Sequence, residues 1–326
     1  MRQPQVVSAR STSGSALPSS VTIYEVGPRD GLQNEQSVVP IEIKAEFIRR
    51  LVQAGLPIVE ATSFVHPKWV PQLADAAELW DLVADLATEG PVPMPVLVPN
   101  ERGLDRALEK GVRRIAIFGS ATETFAQRNL NRSLDGQFTM FEPVVRRARD
   151  AGMEVRAYIS MCFGDPWEGD VPIDQVVGVG KRLFDLGASQ LSLGDTIGVG
   201  TPGHVTELLA AFNDAGLPNQ SLAVHFHDTY GQALANAYAA LVAGITTFDA
   251  SAGGLGGCPY AESATGNLAT EDLVWMLHGL GIETGVDLAQ LIGTSTWMAG
   301  HLGRPSPSRV VTALSGSCDD RAESPA

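Results

Sequence analysis

The chain has 326 residues, of which 44% are hydrophobic and 18% charged, and its net charge is −14 at pH 7. This acidic balance argues against nucleic acid or an anionic membrane as a partner, because both are polyanions. No run approaches the roughly 20 consecutive apolar residues that cross a bilayer. The three cysteines are too few for a disulfide scaffold in a chain of this length.

The first twenty residues differ in composition from the rest of the chain. They contain two arginines, many serines and no acidic residue, and they lack the apolar core of a secretory signal. We predict a disordered leader over 1–20 and a cytoplasmic protein. The alternative is a short mitochondrial transit peptide, which would place the protein in the mitochondrial matrix. The small, polar and acidic stretch 315–326 predicts a flexible tail.

Between these ends, over 21–314, short apolar runs alternate with helical patterns. The predicted strands are 21–26, 57–61, 94–98, 114–118, 154–160, 190–193, 222–226 and 246–250. The predicted helices are 41–54, 71–86, 101–110, 138–151, 173–186, 202–215 and 232–242, followed by 271–279 and 287–299. The stretch 119–135, rich in Asn and Arg, is predicted to be a long loop.

Eight strands alternating with helices predict an α/β protein, a closed TIM (β/α)8 barrel with extra C-terminal helices. The alternative is an open, doubly wound sheet. No Gly-x-Gly-x-x-Gly follows the first strand, which weakens a dinucleotide-binding interpretation.

Polar side chains, most of them ionisable or amide groups, follow most of the predicted strands, at the barrel end where such enzymes place their active sites. In chain order they are Arg29, Asp30, Glu60, Thr62, Asp195, His225, His227, Cys258 and Asn267. Stability alone does not require polar residues at so many strand ends, so we predict an active site there.

His225 and His227 are two residues apart, so on a strand their imidazoles point to the same face. Together with Asp30 and the side-chain carbonyl of Asn267 they offer mixed nitrogen and oxygen ligands, which suit Mn²⁺, Mg²⁺ or Zn²⁺. The alternative is that one histidine is hydrogen-bonded in the core and the other lies at the surface. Their position at a strand end, just before Asp228, favours the metal.

Arg29 and Asp30 are neighbours, and on an extended segment their side chains would diverge, so we expect them not to pair. Arg29 would then be available to hold an anionic oxygen. Glu60 is expected to orient Arg29 or a water on the metal. The alternative is that Glu60 only balances the charge of Arg29.

Of the cysteines, Cys258 lies in a glycine-rich run, 252–260, that no packed element would tolerate well. Such a loop can close over a ligand, where a thiol can donate or accept a proton. The alternative is a buried cysteine in a tight turn. Cys162 follows an apolar strand and is expected to be a small core residue.

Several segments together resemble the hydroxymethylglutaryl-CoA (HMG-CoA) lyase family. They are Glu-Val-Gly-Pro-Arg-Asp-Gly-Leu-Gln-Asn-Glu at 25–35, Thr-Ser-Phe-Val at 62–65 with Pro-Lys-Trp-Val-Pro-Gln at 67–72, Leu-Gly-Asp-Thr-Ile-Gly-Val-Gly at 193–200, and the stretch 225–234. The loop 252–260 resembles the family's signature around its catalytic cysteine. The likeness extends from about residue 21 to about residue 314.

This resemblance implies a homodimer that needs Mg²⁺ or Mn²⁺ and takes a small-molecule acyl-CoA. It implies cleavage of (S)-3-hydroxy-3-methylglutaryl-CoA to acetyl-CoA and acetoacetate, in leucine degradation and ketone-body formation. By motif position the metal ligands are Asp30, His225, His227 and Asn267. The other active-site positions are Arg29, Glu60, Asp195 and Cys258, with His227 as a further catalytic candidate. We assign substrate binding to Arg29, Gln33 and Thr196.

The expected chemistry is a retro-Claisen cleavage. A base, His227 or Asp30 through a water, takes the proton of the tertiary hydroxyl; Arg29 stabilises the enolate, and Cys258 protonates it. Related substrates such as citramalyl-CoA or 3-hydroxy-3-isohexenylglutaryl-CoA would use the same chemistry. A condensing enzyme of the isopropylmalate synthase type and a non-catalytic metal-binding barrel are the alternatives from other classes.

Overall fold

The computed structural model describes residues 17–88, 90, 92–258 and 261–315; the side chains at 88, 258 and 261–265 are not included. The predicted leader and tail therefore lie outside the described residues, apart from 17–20 and 315. Within the described part, no helix is both long and apolar enough to cross a membrane.

A parallel sheet of nine strand segments forms the centre of the described part. The segments are β1 (Thr22–Glu25), β2 (Ile58–Val59), β3 (Thr62–Ser63), β4 (Val96–Leu97), β5 (Arg114–Ser120), β6 (Glu154–Ser160), β7 (Gln190–Asp195), β8 (Leu222–Phe226) and β9 (Thr247–Ala250). Their order is β2-β1-β9-β8-β7-β6-β5-β4-β3. A short antiparallel pair, β10 (Gly257–Cys258) and β11 (Ala261–Thr265), follows β9.

The two ends of this order are parts of one strand, so the sheet closes on itself. β2 pairs with β1 and β3 with β4, and only two residues, Glu60 and Ala61, separate them. The backbone N–H of Glu60 donates to the carbonyl of Glu25 at 2.9 Å, and that of Ala61 to the carbonyl of Pro95 at 3.0 Å. The result is the predicted eight-stranded TIM barrel.

Most of the helices surround this barrel. The helices are α1 (Ile41–Gln53), α2 (Ala76–Thr88), α3 (Glu101–Glu109), α4 (Glu123–Leu130), α5 (Gly136–Asp150), α6 (Ile173–Leu186), α7 (Pro202–Asp214), α8 (Ala233–Val242), α9 (Thr270–Gly279), α10 (Leu288–Leu302) and α11 (Arg309–Ser315). The last two pack on other helices, α10 on α1 and α9, and α11 on α9 and α10. Strand side chains alternate between faces: Ile115 and Ile117 join the large core cluster, while Ala116 joins a separate small one.

The prediction of a continuous loop over 119–135 is wrong, because α4 lies within it. This helix has only eight residues, and its polar composition is typical of a loop; burial of Phe125 and Ala126 anchors it. Asn131, in a left-handed conformation with φ +53°, ends it. The strand pair β10–β11 and helix α11 were also not predicted. The predicted elements themselves differ from the structure at their boundaries: the predicted helix 71–86, for example, starts with a separate 3-10 turn at Pro71–Leu73.

Candidate active site

Three of the predicted ligands meet at the C-terminal ends of the barrel strands. One ligand atom from each of Asp30, His225 and His227 lies within 4.8 Å of the other two. The two imidazole rings have centroids 5.3 Å apart. The spacing of two along the strand therefore places both histidines on one face, as the sequence predicted, and the turn after β1 brings the carboxylate to them.

That turn is wound rather than extended, which corrects one expectation. Residues Gly27–Gly31 form a π-helical turn in which the N–H groups of Asp30 and Gly31 both donate to the carbonyl of Val26, at 2.7 and 3.2 Å. The prediction that Arg29 and Asp30 do not pair is wrong, because Arg29 Nη1 donates to Asp30 Oδ1 at 2.5 Å. Winding of the backbone brings the two neighbouring side chains to the same side.

Arg29 is buried and held from three directions. Its Nε donates to Glu60 Oε2 at 2.8 Å, and its Nη2 lies 2.8 Å from the same oxygen. Tyr158 donates its hydroxyl to this oxygen at 2.9 Å and presents its ring 5.2 Å from the Arg29 guanidinium. Burial raises the pKa of Glu60, against the opposing effect of Arg29. The guanidinium is thus fixed in one orientation, with N–H groups left to bind a further oxygen.

Asp30 accepts two more side-chain hydrogen bonds. Gln33 Nε2 donates to Oδ1 at 2.9 Å, and Asn267 Nδ2 donates to Oδ2 at 2.8 Å. Asn267 is also the β-bridge partner of His227, so it lies beside the cluster. Gln33 therefore contacts the site through Asp30, as well as lining the cavity described below.

The pKa values give two of these groups the protonation states that a metal requires. Burial raises the pKa of Asp30, but Arg29, His225 and His227 outweigh it and lower the pKa to about 2. Burial, helped by His225, lowers the pKa of His227 to about 3. At neutral pH Asp30 is ionised and His227 is neutral, so both offer a lone pair.

Two unsatisfied atoms make the cluster a fitting cation site. Among the described residues, His227 Nδ1 and Asn267 Oδ1 are buried without a hydrogen-bond partner. Buried polar atoms without a partner are uncommon and need an explanation, of which an ion is one. Imidazole nitrogen with carboxylate and amide oxygen is a donor set for Mg²⁺, Mn²⁺ or Zn²⁺.

Asp195 ends β7 and holds the turn that follows it. Its Oδ2 accepts the N–H of Gly200 at 3.0 Å, whereas its Oδ1 is buried without a partner among the described residues. Burial raises the pKa of Asp195 to about 6. The next residue, Thr196, lines the cavity, and its hydroxyl accepts the N–H of Met161 at 2.9 Å.

The side chain of Cys258 lies outside the described residues, so its predicted role stays a prediction. Its backbone belongs to β10, which pairs with β11. The glycine-rich stretch 252–260 thus contributes one strand of a short antiparallel pair and is not wholly irregular. Cys162, in contrast, is fully buried, which confirms the prediction of a core residue.

A cavity of about 410 Å³ opens beside the cluster. Arg29, Asp30, His225 and His227 line its polar side. Leu97, Phe118, Val65 and Trp69 line its apolar side. Its size and mixed lining suit a small organic ligand.

Sequence reasoning missed residues inside the barrel that support the site. Tyr158 and Arg156 lie on β6, Ser192 on β7 and Asp249 on β9, and all four are buried. The available signal was a charged residue within a predicted strand, Asp249 between Phe248 and Ala250. A charge inside a buried strand requires partners, but the sequence does not show which ones.

Comparison with known proteins agrees with this geometry. The HMGL-like family model matches residues 20–298, which defines the class as an HMGL-like (β/α)8 barrel. The chain is 49% identical to the mitochondrial HMG-CoA lyase of Gallus gallus, over 91% of this chain and 99% of that protein. It is 49% identical to a cytoplasmic HMG-CoA lyase of Danio rerio, over 91% and 88% of the two chains.

An Arabidopsis thaliana relative, named mitochondrial HMG-CoA lyase, is 51% identical over 91% of this chain, which spans 63% of that protein's length. The crystal structure of the Bacillus subtilis HMG-CoA lyase superposes with a TM-score of 0.89 and 46% identity, over 92% of this chain and 99% of that one. An HMG-CoA lyase from Acinetobacter baumannii, in complex with coenzyme A and 3-methylmalate, gives a TM-score of 0.84 and 32% identity, over 94% and 98%. The chain belongs to the HMG-CoA lyase family.

Proposed function

We infer that the protein cleaves (S)-3-hydroxy-3-methylglutaryl-CoA to acetyl-CoA and acetoacetate. The observation that carries this is the convergence of Asp30, His225 and His227 with Arg29 on one cavity, in a member of the HMG-CoA lyase family. The relative solved with coenzyme A supports an acyl-CoA as the ligand.

We propose that Asp30, His225 and His227, with Asn267 Oδ1, hold one divalent cation, Mg²⁺ or Mn²⁺. When bound, it would supply a Lewis acid that lowers the pKa of the substrate hydroxyl. The chain's own contribution is to keep Asp30 ionised and in place through Arg29, Gln33 and Asn267. Asn267 would present its second atom, Oδ1, to the same site.

The pKa values favour Asp195, and not Asp30 or His227, as the base that takes the proton of the substrate hydroxyl. Asp30 and His227, with pKa values of about 2 and about 3, are weak bases at neutral pH. Asp195 has a pKa of about 6 and an Oδ1 with no partner among the described residues, and its neighbours Gly194 and Thr196 line the cavity. Asp195 is itself buried behind these neighbours, so we propose that it takes the hydroxyl proton through one water.

Arg29 would stabilise the negative charge on the thioester oxygen as the carbon–carbon bond breaks. Glu60 and Asp30 fix its guanidinium before the substrate arrives, so little reorganisation is needed during the reaction. Cys258 would then protonate the enolate carbon, which completes acetyl-CoA. The second product is acetoacetate. Its ketone forms from the deprotonated hydroxyl group as the electron pair of the C–C bond passes to the acetyl-CoA enolate.

The test is release of acetoacetate and acetyl-CoA from racemic HMG-CoA after the protein is treated with EDTA, then supplied with Mg²⁺ or Mn²⁺. We expect loss of turnover with EDTA and recovery with either cation. Turnover that survives complete metal removal would refute the metal's role. Folded protein that releases no product with any cation would refute the substrate.

The related substrates citramalyl-CoA and 3-hydroxy-3-isohexenylglutaryl-CoA test the acyl chain. The cavity of about 410 Å³, lined on its apolar side by Leu97 and Phe118, favours a short chain. We expect the highest kcat/KM with HMG-CoA. The homodimer, the cytoplasmic location and the role in leucine degradation stay predictions.

A further inference from the structure

We propose that Asp249 is a positioning residue for the metal site: its carboxylate holds His225 with the proton on Nδ1 and thereby leaves Nε2 as the ligand atom. The proposal rests on the metal role put forward above. It gives a role to the buried carboxylate of Asp249, which takes no part in the proposed reaction.

The contact follows from strand register. His225 on β8 and Asp249 on β9 are Cα partners in the parallel pairing, so their side chains lie on the same face of the sheet. His225 Nδ1 lies 3.3 Å from Asp249 Oδ2. The other ring nitrogen, Nε2, lies 3.9 Å from Asp30 Oδ2. The imidazole therefore stands between a buried carboxylate and the cluster.

The hydrogen bonds to Asp249 decide which ring nitrogen carries the proton. Arg156 donates Nη2 to Oδ1 at 2.6 Å and Nη1 to Oδ2 at 3.1 Å, and Ser192 donates its hydroxyl to Oδ2 at 2.8 Å. A carboxylate paired in this way to a guanidinium is ionised and can only accept. His225 Nδ1 must then be the donor, and a neutral imidazole with Nδ1–H has its lone pair on Nε2.

The network is also buried and lies against aromatic rings. Asp249 is 2% exposed and Arg156 is 6% exposed. The Arg156 guanidinium lies over the rings of Tyr24 and Tyr158, 3.9 and 4.8 Å from their centroids. A buried ion pair adds little stability compared with apolar residues of similar size, so stability alone gives no reason for this pair.

The first test reads the tautomer directly in the wild-type protein. Nitrogen NMR of ¹⁵N-histidine-labelled, metal-free protein at neutral pH, with His225 assigned through a His225→Gln variant, should show the proton on Nδ1. Addition of Mg²⁺ should shift the Nε2 signal and leave Nδ1 protonated. A proton on Nε2 in the metal-free protein would overturn the proposal.

The second test measures Mn²⁺ binding, without substrate, in the double variant Asp249→Leu/Arg156→Met. Both members of the pair are replaced together, so no lone charge stays buried. We expect the Kd for Mn²⁺ to rise by about 10–100-fold, the usual effect of removing such a partner. A Kd within twofold of the wild type would overturn the proposal. If the variant does not fold, the tautomer measurement decides alone.

A matched control removes another ion pair that includes a buried lysine. Lys44 on α1 is 1% exposed, and its Nζ lies 2.8 Å from Oδ1 of Asp75, which precedes α2. Neither residue belongs to the metal cluster or lines the cavity. The variant Lys44→Met/Asp75→Leu should keep the wild-type Kd. Both tests are independent of the proposed reaction, because neither uses substrate. Wild-type protein that binds Mn²⁺ without cleaving HMG-CoA would refute the reaction and leave the role of Asp249 standing.

Discussion

Glu25 accepts a hydrogen bond from the backbone N–H of Ala252, 227 residues further along the chain, at 2.8 Å. The same oxygen, Oε1, accepts the N–H of Gly27 at 2.8 Å, and Oε2 accepts the hydroxyl of Thr270 at 2.6 Å. One buried carboxylate thus joins the turn that carries Arg29 to the start of the glycine-rich loop.

We predict that Glu25→Ala destabilises the protein and lowers turnover together. The variant leaves buried backbone N–H groups without an acceptor, at a cost of about 1–3 kcal/mol for each. Glu25→Gln should retain much of the stability, since its amide oxygen can accept both N–H groups. Urea unfolding and turnover measure the two effects. An unfolding midpoint of Glu25→Ala equal to that of the wild type would contradict this role.

We predict that Glu271 makes stability depend on pH. Burial raises its pKa to about 8, above the ordinary value of 4.5, so between these values the folded state binds more proton than the unfolded state. The free energy of unfolding contributed by this group is largest at low pH and falls as pH rises toward 8.

The variant Glu271→Gln should therefore gain stability relative to the wild type as pH rises from about 5 to about 8. Thermal unfolding at several pH values gives the difference in Tm, which should change by at least roughly 2 °C. The comparison removes the opposing contribution of His227, which is common to both proteins. Parallel curves for the two proteins would show that Glu271 does not titrate in this range.

We predict that Arg29→Lys and Arg29→Gln reduce kcat far more than they change KM. The charge that Arg29 faces develops mainly as the bond breaks, so the loss falls on the transition state. A decrease in kcat of about 10²–10³-fold is expected, as for loss of one oxyanion donor. Arg29→Lys keeps the charge but not the fork that binds Glu60, so it should not restore activity. An effect confined to KM would exclude this role.

We predict that Asp30→Asn weakens Mn²⁺ binding and turnover together, because a neutral amide replaces an ionised ligand. Calorimetric titration with Mn²⁺ measures the first effect. Asp165→Asn is the matched control: Asp165 is a buried carboxylate outside the cluster, and it accepts from Thr122 and two backbone N–H groups. The control should bind Mn²⁺ as the wild type does. Normal Mn²⁺ affinity in Asp30→Asn would exclude Asp30 as a ligand.

We predict that Cys258→Ser lowers turnover by about 10²–10⁴-fold, the usual contribution of a positioned acid, with Mn²⁺ affinity unchanged. Cys162→Ser is the matched control, because Cys162 is buried and its Sγ donates to the carbonyl of Ile159, a bond that a hydroxyl can also make. The control should retain activity. Equal turnover in wild type and Cys258→Ser would remove Cys258 from the mechanism.

The fold was predictable because the local sequence pattern indicates most of its strands and helices. An apolar run such as 222–226 followed by an alanine-rich helical stretch defines a βα unit, and eight such units leave few arrangements besides a closed barrel. The stretch 119–135 was one exception, besides the strand pair β10–β11 and helix α11. Its helix α4 is held by burial of Phe125 against the rest of the protein, and a composition rich in Asn and Arg does not reveal that contact.

The candidate site was predictable where the fold itself fixes the direction of side chains. His225 and His227 share a face because the strand repeats every two residues, and the barrel places strand ends together. Arg29 and Asp30 were wrongly expected to stay apart, because the π-helical turn that pairs them depends on three N–H groups bound to Val26. The residue types at 27–31 do not indicate whether the backbone there forms a π-helical turn or stays extended.

By itself, the sequence determined the barrel, the end of the barrel where the candidate site lies and the shared face of His225 and His227, since these follow from periodicity and spacing along the chain. Only the tertiary structure decided which groups hold them: Asp249 beside His225, Glu60 on Arg29, and Glu25 between two distant loops. The physical reason is that these contacts depend on the register between strands and on burial. Both bring together residues that are remote in sequence, and these neighbours then raise or lower the pKa values of the site residues.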